Sequence, residues 1–191
     1  MKSFVIALRI FLFFTVLTGV IYPLLITGIS QLLFPSKANG SIIYKDNNPV
    51  GSTLIGQSFD TLAIYFVSRP STISYNPLPS GGSNYGLTSL KLKEQFEQRK
   101  QKFIANNILD SQKEIPSEML FASGSGLDPH ISPEAAKLQV ERICKARHFS
   151  NSQKICLINI INQLTESPQF LFLGQKRINV LLLNLETDKI K

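Results

Sequence analysis

Residues 10–34 read IFLFFTVLTGVIYPLLITGISQLLF, a run without a charged side chain. A helix of about 25 residues extends about 37 Å, which is more than the ~30 Å hydrocarbon core of a bilayer. The apolar segments of secretory signals are shorter, about 7–15 residues. The run therefore predicts an uncleaved transmembrane helix, rather than a cleaved signal or a buried helix of a soluble protein.

The basic residues beside this run predict its orientation. Lys2 and Arg9 precede it together with the terminal amine, whereas two lysines follow it more loosely, one of them beside an aspartate. Segments that flank a membrane span are richer in basic residues on the cytoplasmic side. We therefore expect residues 1–35 to form a cytoplasmic tip and the transmembrane helix, and residues 36–191 to form an extracytoplasmic domain.

The run also carries a stripe of small or kinking residues. Small residues let helices approach closely in lipid, and a proline kinks a helix or leaves a carbonyl free. A tyrosine hydroxyl near the middle of the membrane prefers a protein partner to lipid. The pattern predicts that the helix packs against other transmembrane helices, with an inert anchor as the alternative. The residues assigned to this packing are Thr15, Gly19, Tyr22, Pro23 and Thr27.

The chain after the run predicts a mixture of helices and short strands. Apolar residues at helical spacing with basic residues between them indicate a helix at 87–104. Serine, proline and glutamate at 132–134 are typical of a helix start. We predict an α+β fold class, with a single N-terminal transmembrane helix followed by one extracytoplasmic α/β domain. Its predicted strands are 64–67, 119–122 and a central strand at 178–185, its helices 87–104, about 133–148 and about 153–164, and its long ordered loop 68–86.

No catalytic, nucleotide or metal signature is evident. A phosphate-binding loop ending in Lys-Ser or Lys-Thr and a Gly-x-Ser-x-Gly nucleophile elbow are both absent. The two histidines, His130 and His148, lack a second ligand at helical spacing, so we expect no metal site. We also expect no firmly bound cofactor and no nucleic-acid partner, because no nucleic-acid motif accompanies the net positive charge. The basic stretch 91–102 is interpreted as solvated surface, with lipid headgroups or an acidic partner as the alternative.

A glycine-rich turn precedes the predicted helix at 133–148. Ser125, Asp128 and His130 lie within six residues there. Catalytic triads are assembled in space and are rarely so compressed in sequence, so we predict a structural turn whose polar side chains bond local backbone amides. The residues assigned to this turn are Ser123, Gly124, Ser125, Gly126 and Asp128.

A second glycine pair lies in Ser80-Gly81-Gly82-Ser83. Consecutive amides in such turns can form an anion-binding nest. Glycine pairs are common in loops, where they also let two backbones approach closely. The packing role is the interpretation that we favour, and the nest is the alternative.

The chain contains two cysteines, Cys144 and Cys156, on either side of the turn near residue 150. In a helical hairpin these positions can face each other. An extracytoplasmic location permits a disulfide, which requires a Cα separation below about 7 Å. The sequence leaves both a disulfide and two buried thiols open.

Many short motifs can be taken together. They are Tyr22-Pro23-Leu24, Gly56-Gln57-Ser58-Phe59, Tyr65-Phe66, Arg69-Pro70-Ser71, Tyr75-Asn76, Ser80-Gly81-Gly82-Ser83-Asn84, Ala122-Ser123-Gly124-Ser125-Gly126-Leu127-Asp128, Ala135-Ala136 with Gln139 and Arg142, Ala146-Arg147, Gly174, Asn179-Val180 and Leu183-Asn184-Leu185. In order and spacing the sequence resembles, over nearly its whole length, the C subunit family (KdpC) of the high-affinity potassium-transporting ATPase, the Kdp complex.

The resemblance implies a non-catalytic subunit of a complex in the bacterial inner membrane. In that complex a channel-like subunit carries potassium, and a P-type ATPase subunit hydrolyses ATP through a phosphorylated aspartate. This chain lacks the Asp-Lys-Thr-Gly sequence of the ATPase subunit. The implied role is to assemble and stabilise the two larger subunits and to shape the outer entrance of the potassium path.

The resemblance also implies that the subunit raises the ATP affinity of the catalytic subunit. The loop Ser80, Gly81, Gly82, Ser83 and Asn84 is likened to an ATP-binding signature. This loop follows the predicted span, so it lies where ATP is scarce when the N-terminus is inside, and we predict no direct ATP site. The alternatives to a pump subunit are a membrane-anchored extracytoplasmic enzyme, acting through the turn at 123–130, and a ligand-binding module.

Overall fold

The structure is a computed structural model that describes residues 2–59 and 63–190. The chain divides into two compact units, Met1–Ser52 and Thr53–Lys191. The first unit contains the apolar run, and the second contains both glycine-rich segments and both cysteines. Each unit is described by itself below.

The apolar run is helical throughout. Helix α1 occupies Lys2–Val16, a π-helical turn occupies Leu17–Ile21, and helix α2 occupies Tyr22–Leu33. Together, Lys2–Leu33 form the one helix, within the described residues, that is long and apolar enough to cross a membrane. None of its residues is buried. The prediction of a single long apolar N-terminal helix is confirmed.

Pro23 explains the π-helical turn. Proline has no N–H group, and in a regular α-helix its ring would meet the carbonyl four residues earlier. The amide of Tyr22 donates to the carbonyl of Leu17, five residues earlier, so the helix widens just before the proline. The kink or free carbonyl predicted for Pro23 thus takes the form of a widened turn.

A short helix and a hairpin complete the first unit. Helix α3 occupies Pro35–Ala38, and strand β1, Ile42–Lys45, pairs antiparallel with β2, Asn48–Ser52. Asp46 and Asn47 join the strands with φ values of 52° and 63°. Left-handed values at both positions match the twist of a tight hairpin, and Asp and Asn tolerate them better than most residues.

The second unit is mainly helical, with one two-stranded sheet. Its elements are α4 (Leu90–Asn107), a 3₁₀ turn (Ser117–Met119), β3 (His130–Ile131), α5 (Pro133–Arg147), α6 (Asn151–Gln163), β4 (Ile178–Asn179) and α7 (Val180–Thr187). Its core lies among α5, α6 and α7, where Ile143, Leu157 and Leu183 are fully buried. The predicted long loop at 68–86 contains neither helix nor strand.

Helices α5 and α6 begin where the sequence supplies capping side chains. Ser132 Oγ accepts a hydrogen bond from the amide of Ala135, so α5 begins as predicted. Helix α6 begins two residues before the predicted start, because Ser150 and Gln153 form a reciprocal capping box. The three predicted helices of this domain are confirmed, with ends that differ by a few residues.

The predicted central strand at 178–185 is wrong. Only its first two residues form a strand, β4, which pairs antiparallel with β3 and sets Ile178 opposite Ile131. Asn179 then caps α7, because its side chain accepts a hydrogen bond from the amide of Leu182 at 3.1 Å. Most of the apolar side chains of α7 are buried. A run that is apolar on nearly every side lacks the periodicity that distinguishes a helix from a strand.

The strands predicted at 64–67 and 119–122 are also wrong. A 3₁₀ turn, Ser117–Met119, ends at the first residue of the second, and the amides of Met119 and Leu120 donate to carbonyls three residues earlier. Residues 120–122 form neither helix nor strand. Residues 64–67 pair with no strand among residues 2–59 and 63–190. The described residues contain two two-stranded sheets, so the fold is α+β with less strand than predicted, and helix α7 stands in place of most of the predicted central strand.

Both cysteines are free thiols. The disulfide is therefore not formed, and the alternative of two buried thiols is correct only for Cys144, because Cys156 is exposed on α6. Burial, followed by the nearby carboxylate of Glu141, raises the pKa of the Cys144 thiol. Cys156 is thus the thiol that a reagent in water can reach.

Candidate functional site

Residues 66–67 lie at the centre of the second unit, and side chains hold their backbone. The amide of Phe66 donates to Asn184 Oδ1 at 2.7 Å, and its carbonyl accepts from Asn184 Nδ2 at 3.0 Å. The amide of Val67 donates to Gln139 Oε1 at 2.8 Å, and its carbonyl accepts from Gln139 Nε2 at 3.2 Å. Asn184 and Gln139 are almost fully buried. The two side-chain amides replace the neighbouring strand that this segment lacks.

Arg142 of α5 donates hydrogen bonds to Gln139 and to two other parts of the second unit. Its Nη2 donates to Gln139 Oε1 at 2.9 Å, its Nε to Asn107 Oδ1 at 2.9 Å, and its Nη1 to the carbonyl of Ala63. Burial lowers the pKa of Arg142, although an arginine remains protonated in proteins. One buried cation therefore joins α4, α5 and the segment before residue 66.

Arg147, five residues after Arg142 on α5, also bonds to the chain before residue 66. Its Nη2 lies 2.7 Å from Asp188 Oδ1, and its Nε donates to the carbonyl of Ile64 at 2.8 Å. The guanidinium lies 5.0 Å from the centre of the Tyr65 ring, within the range of a cation–π contact. These contacts fix the segment that leads into residues 66–67.

Asp128 connects this centre to the glycine turn. Its Oδ2 lies 2.9 Å from Arg69 Nη1, its Oδ1 accepts from the amide of His130 at 3.0 Å, and its carbonyl accepts from Ser68 Oγ. Burial raises the pKa of the Asp128 carboxyl, but the hydrogen bonds from His130 and the Arg69 guanidinium outweigh it and lower the pKa to about 2. A lowered pKa stabilises the fold above the ordinary value of 3.8, and this contribution is lost as the pH falls through about 2.

The two glycine-rich segments singled out in the sequence lie against each other. The amide of Gly81 donates to the carbonyl of Ser125 at 3.1 Å. A Cβ on Gly82 would lie 2.9 Å from the carbonyl oxygen of Gly124, and one on Gly126 would lie 2.9 Å from that of Gly81. Gly126 also has a φ of +71°, which side chains rarely adopt. Backbone therefore packs on backbone here.

This contact does not fit a phosphate-binding loop. An anion nest presents consecutive free amides, and the amide of Gly81 is already donated to Ser125. The carbonyl oxygens of Gly124 and Ser125 face the glycine pair, and they would repel a phosphate. Ser83 is half-buried, and the loop's remaining residues, Ser80 and Asn84, are exposed.

In the described part of the chain, Ser125 and Asp128 of the turn at 123–128 accept hydrogen bonds from nearby backbone amides. Ser125 Oγ accepts a hydrogen bond from the amide of Leu127 at 3.1 Å, and the amide of Ser123 donates to a neighbouring loop. Asp128 Oδ1 lies 3.5 Å from His130 Nδ1, but within residues 2–59 and 63–190 no hydrogen bond joins Ser125 to His130. In the same ranges no group of three His, Cys, Asp or Glu is placed to hold a metal ion.

The stripe predicted for packing is exposed along the N-terminal helix. Thr15 Oγ1 donates to the carbonyl four residues earlier at 2.8 Å, so its hydroxyl is satisfied within the helix. A Cβ on Gly19 would meet no atom within 4 Å, and Tyr22 is 61% exposed. The exposed side chains of the stripe are those of Thr15, Tyr22, Pro23 and Thr27.

Sequence reasoning assigned no role to Gln139 and Arg142. They lie on the face of α5 that also carries the buried Ala135, Ala136 and Ile143. A polar residue at an apolar position of a helix must find buried partners. The placement of Gln139 and Arg142 on the apolar face of α5 was therefore the one sequence feature that could have indicated their role. The partners themselves lie 35 to 79 residues away in sequence and could not be read from it.

A sequence model of one family, described as KdpC, the c chain of the K⁺-transporting ATPase, matches residues 4–189. The chain is 46% identical to the potassium-transporting ATPase KdpC subunit of Pectobacterium atrosepticum, over 97% of this chain and 95% of that protein. It is 44% identical to the subunit of the same name in Caldanaerobacter subterraneus (91% and 88% covered) and 43% identical to that of Geotalea uraniireducens (100% and 99% covered). The chain therefore belongs to the KdpC family.

Proposed function

We propose that this chain is a non-catalytic accessory subunit of an ATP-driven potassium uptake pump, in which it assembles a channel-like subunit with a P-type ATPase subunit. The observation that carries the proposal is the family match across residues 4–189, together with relatives named as potassium-transporting ATPase subunits. The hydrogen-bonded centre around residues 66–67 supports it, because the buried side chains of Gln139, Arg142 and Asn184 are engaged there in holding the fold together. Among the described residues, Ser125 and His130 do not form the triad that the enzyme alternative requires, and the family match favours neither alternative.

The proposed location is the bacterial inner membrane, with the N-terminus in the cytoplasm and the domain 36–191 outside. Lys2 and Arg9, which precede the span, support this orientation, because basic residues are enriched on the cytoplasmic side of a membrane span. In this orientation the domain lies on the side from which potassium enters, as its proposed role at the outer entrance requires.

Cys156 provides a direct test of this orientation, because it is exposed while Cys144 is buried. In sealed right-side-out vesicles that contain the full chain, an impermeant maleimide added outside should label Cys156. The Cys156→Ser variant should remain unlabelled, which assigns the signal to that thiol. Labelling that appears only after the vesicles are opened would place the domain inside.

We further propose that the loop of residues 80–84 does not bind ATP directly, and that any effect on nucleotide affinity passes through contact with the ATPase subunit. The donated amide of Gly81 and the carbonyl oxygens around it support this proposal. Protection of the loop by ATP supplied on the cytoplasmic side of sealed vesicles would contradict it.

We propose that the helix Lys2–Leu33 docks against transmembrane helices of the partner subunits through the stripe at Thr15, Gly19, Pro23 and Thr27. Small residues permit close helix contacts in lipid, where van der Waals packing contributes to helix association. The open space around Gly19 supports this proposal, because no part of the chain uses it.

The Gly19→Leu variant should reduce the recovery of partner subunits on the tagged chain about fivefold, since a large side chain separates the helices. The Gly28→Leu variant is the matched control, because Gly28 is equally uncovered and lies away from the stripe on the helix. Quantitative co-purification in mild detergent measures both. Equal recovery for the two variants would remove the stripe from the interface.

A further inference from the structure

Residues 166–177 of the second unit form a hairpin, and three large apolar side chains lie in its turn. Phe170, Leu171 and Phe172, here called the apolar tip, are 80%, 89% and 77% exposed. Leu173 follows them and is 50% exposed. Soluble surfaces rarely present several large apolar residues in succession unless they contact something.

The apolar tip is held in place by the hairpin beneath it. Gln169 and Leu173 exchange backbone hydrogen bonds of 2.9 Å in both directions. A second pair of backbone bonds joins Glu166 to Arg177, and their side chains form an ion pair of 2.9 Å. The three side chains are therefore presented by an ordered ladder, in the manner of a β-hairpin loop.

The backbone of the tip is strained in a way that glycine would relieve. Phe170 and Leu171 have φ values of 52° and 72°, in the left-handed region where bulky side chains are unfavourable. A hairpin that needed only to turn would be served by glycine or asparagine at these positions. The presence of Phe and Leu indicates that their side chains are used, as is common where strain is found.

We propose that the apolar tip inserts into the lipid headgroup and acyl-chain boundary of the membrane that anchors this chain. The inference rests on the proposed membrane anchoring, since the tether keeps the domain at the membrane surface at high effective concentration. In the hairpin, Arg177 forms an ion pair with Glu166, and Lys176 adds one more positive charge. The part of the chain after residue 36 also has a net positive charge. Apolar side chains beside basic ones match the interface of a membrane that contains anionic lipids.

A single tryptophan can report on this contact, because the chain contains none. The full-length Leu171→Trp variant is reconstituted alone into vesicles of phosphatidylethanolamine and phosphatidylglycerol, with and without brominated acyl chains. Its emission should shift to shorter wavelength, and the brominated lipids should quench it roughly twofold or more, because the indole lies at the boundary. Phe172→Trp is a second variant with the same expectation.

The matched control is Leu87→Trp, at a residue of the same unit that is 97% exposed. Its emission should remain that of an indole in water, with little quenching. Flotation of every variant with the vesicles establishes that the chain is anchored.

The outcomes separate the two proposals. A chain that floats while both tip tryptophans emit as in water and are not quenched would overturn insertion and leave anchoring intact. A shift that appears only after the partner subunits are added would assign the tip to a protein surface, which also overturns insertion. A chain that fails to float would overturn anchoring and insertion together.

Discussion

The Asn184→Leu variant is expected to lower the free energy of unfolding of the second unit by about 3–4 kcal/mol. Leucine fills nearly the same volume, but it leaves the amide and the carbonyl of Phe66 without partners in a buried place. Each buried backbone group that loses its partner costs about 1–3 kcal/mol. Urea unfolding of the full chain in mild detergent, followed by far-UV circular dichroism, measures this change.

Asn162→Leu is the control for this variant. Asn162 is an exposed residue of α6, and exposed substitutions of this kind usually change stability by less than about 0.5 kcal/mol. If Asn184→Leu behaved like Asn162→Leu, the side-chain amides could not be what holds residues 66–67.

The Gly126→Ala variant is expected to destabilise the second unit by about 2–3 kcal/mol. Its φ of +71° disfavours any Cβ, at a cost of about 1–2 kcal/mol. The new Cβ would also lie 2.9 Å from the carbonyl oxygen of Gly81 and 2.6 Å from Ile73 Cγ1. We expect the two glycine-rich segments to move apart in this variant, because that movement relieves the close contacts of the new Cβ. The same denaturation experiment measures the loss.

Gly124→Ala is the matched control, because Gly124 belongs to the same turn and a Cβ there would meet no atom within 4 Å. It should change stability by less than about 1 kcal/mol, the ordinary effect of this replacement. A Gly126→Ala variant as stable as the Gly124→Ala variant would show that the two loops adjust freely, contrary to the close packing described above.

Local signals in the sequence predicted the features that depend on neighbours along the chain. The uncharged run of residues 10–34 predicted the long N-terminal helix, because length and apolar character are local properties. The start of α5 followed from Ser132 and Pro133, whose capping chemistry acts within one turn.

Features that depend on distant partners were not predictable in the same way. Residues 64–67 have the composition of a strand, but their backbone bonds to Gln139 and Asn184, 72 and 118 residues away. Residues 178–185 are apolar enough for either a buried strand or a buried helix, and the cap formed by Asn179 decides between them. Tertiary contacts overrode propensity at residues 64–67, whereas the cap at Asn179 is a local contact to Leu182 that the apolar run masked.

The candidate site was predicted in part. The sequence singled out both glycine-rich segments, but only the structure brings Gly81 against Ser125 and Gly126. The sequence does not predict the apolar tip, because three apolar residues in succession are ordinary in a buried strand. Their exposure is a property of the folded hairpin and not of the local sequence.

Co-purification of the unmodified, tagged full-length chain from its own membranes in mild detergent tests the central claim most directly. The account predicts that two larger membrane proteins accompany it, a channel-like protein and a P-type ATPase, and that the preparation hydrolyses ATP in response to potassium. Recovery of the chain by itself, from membranes that contain both proteins, would contradict the proposal that it is a subunit of the pump.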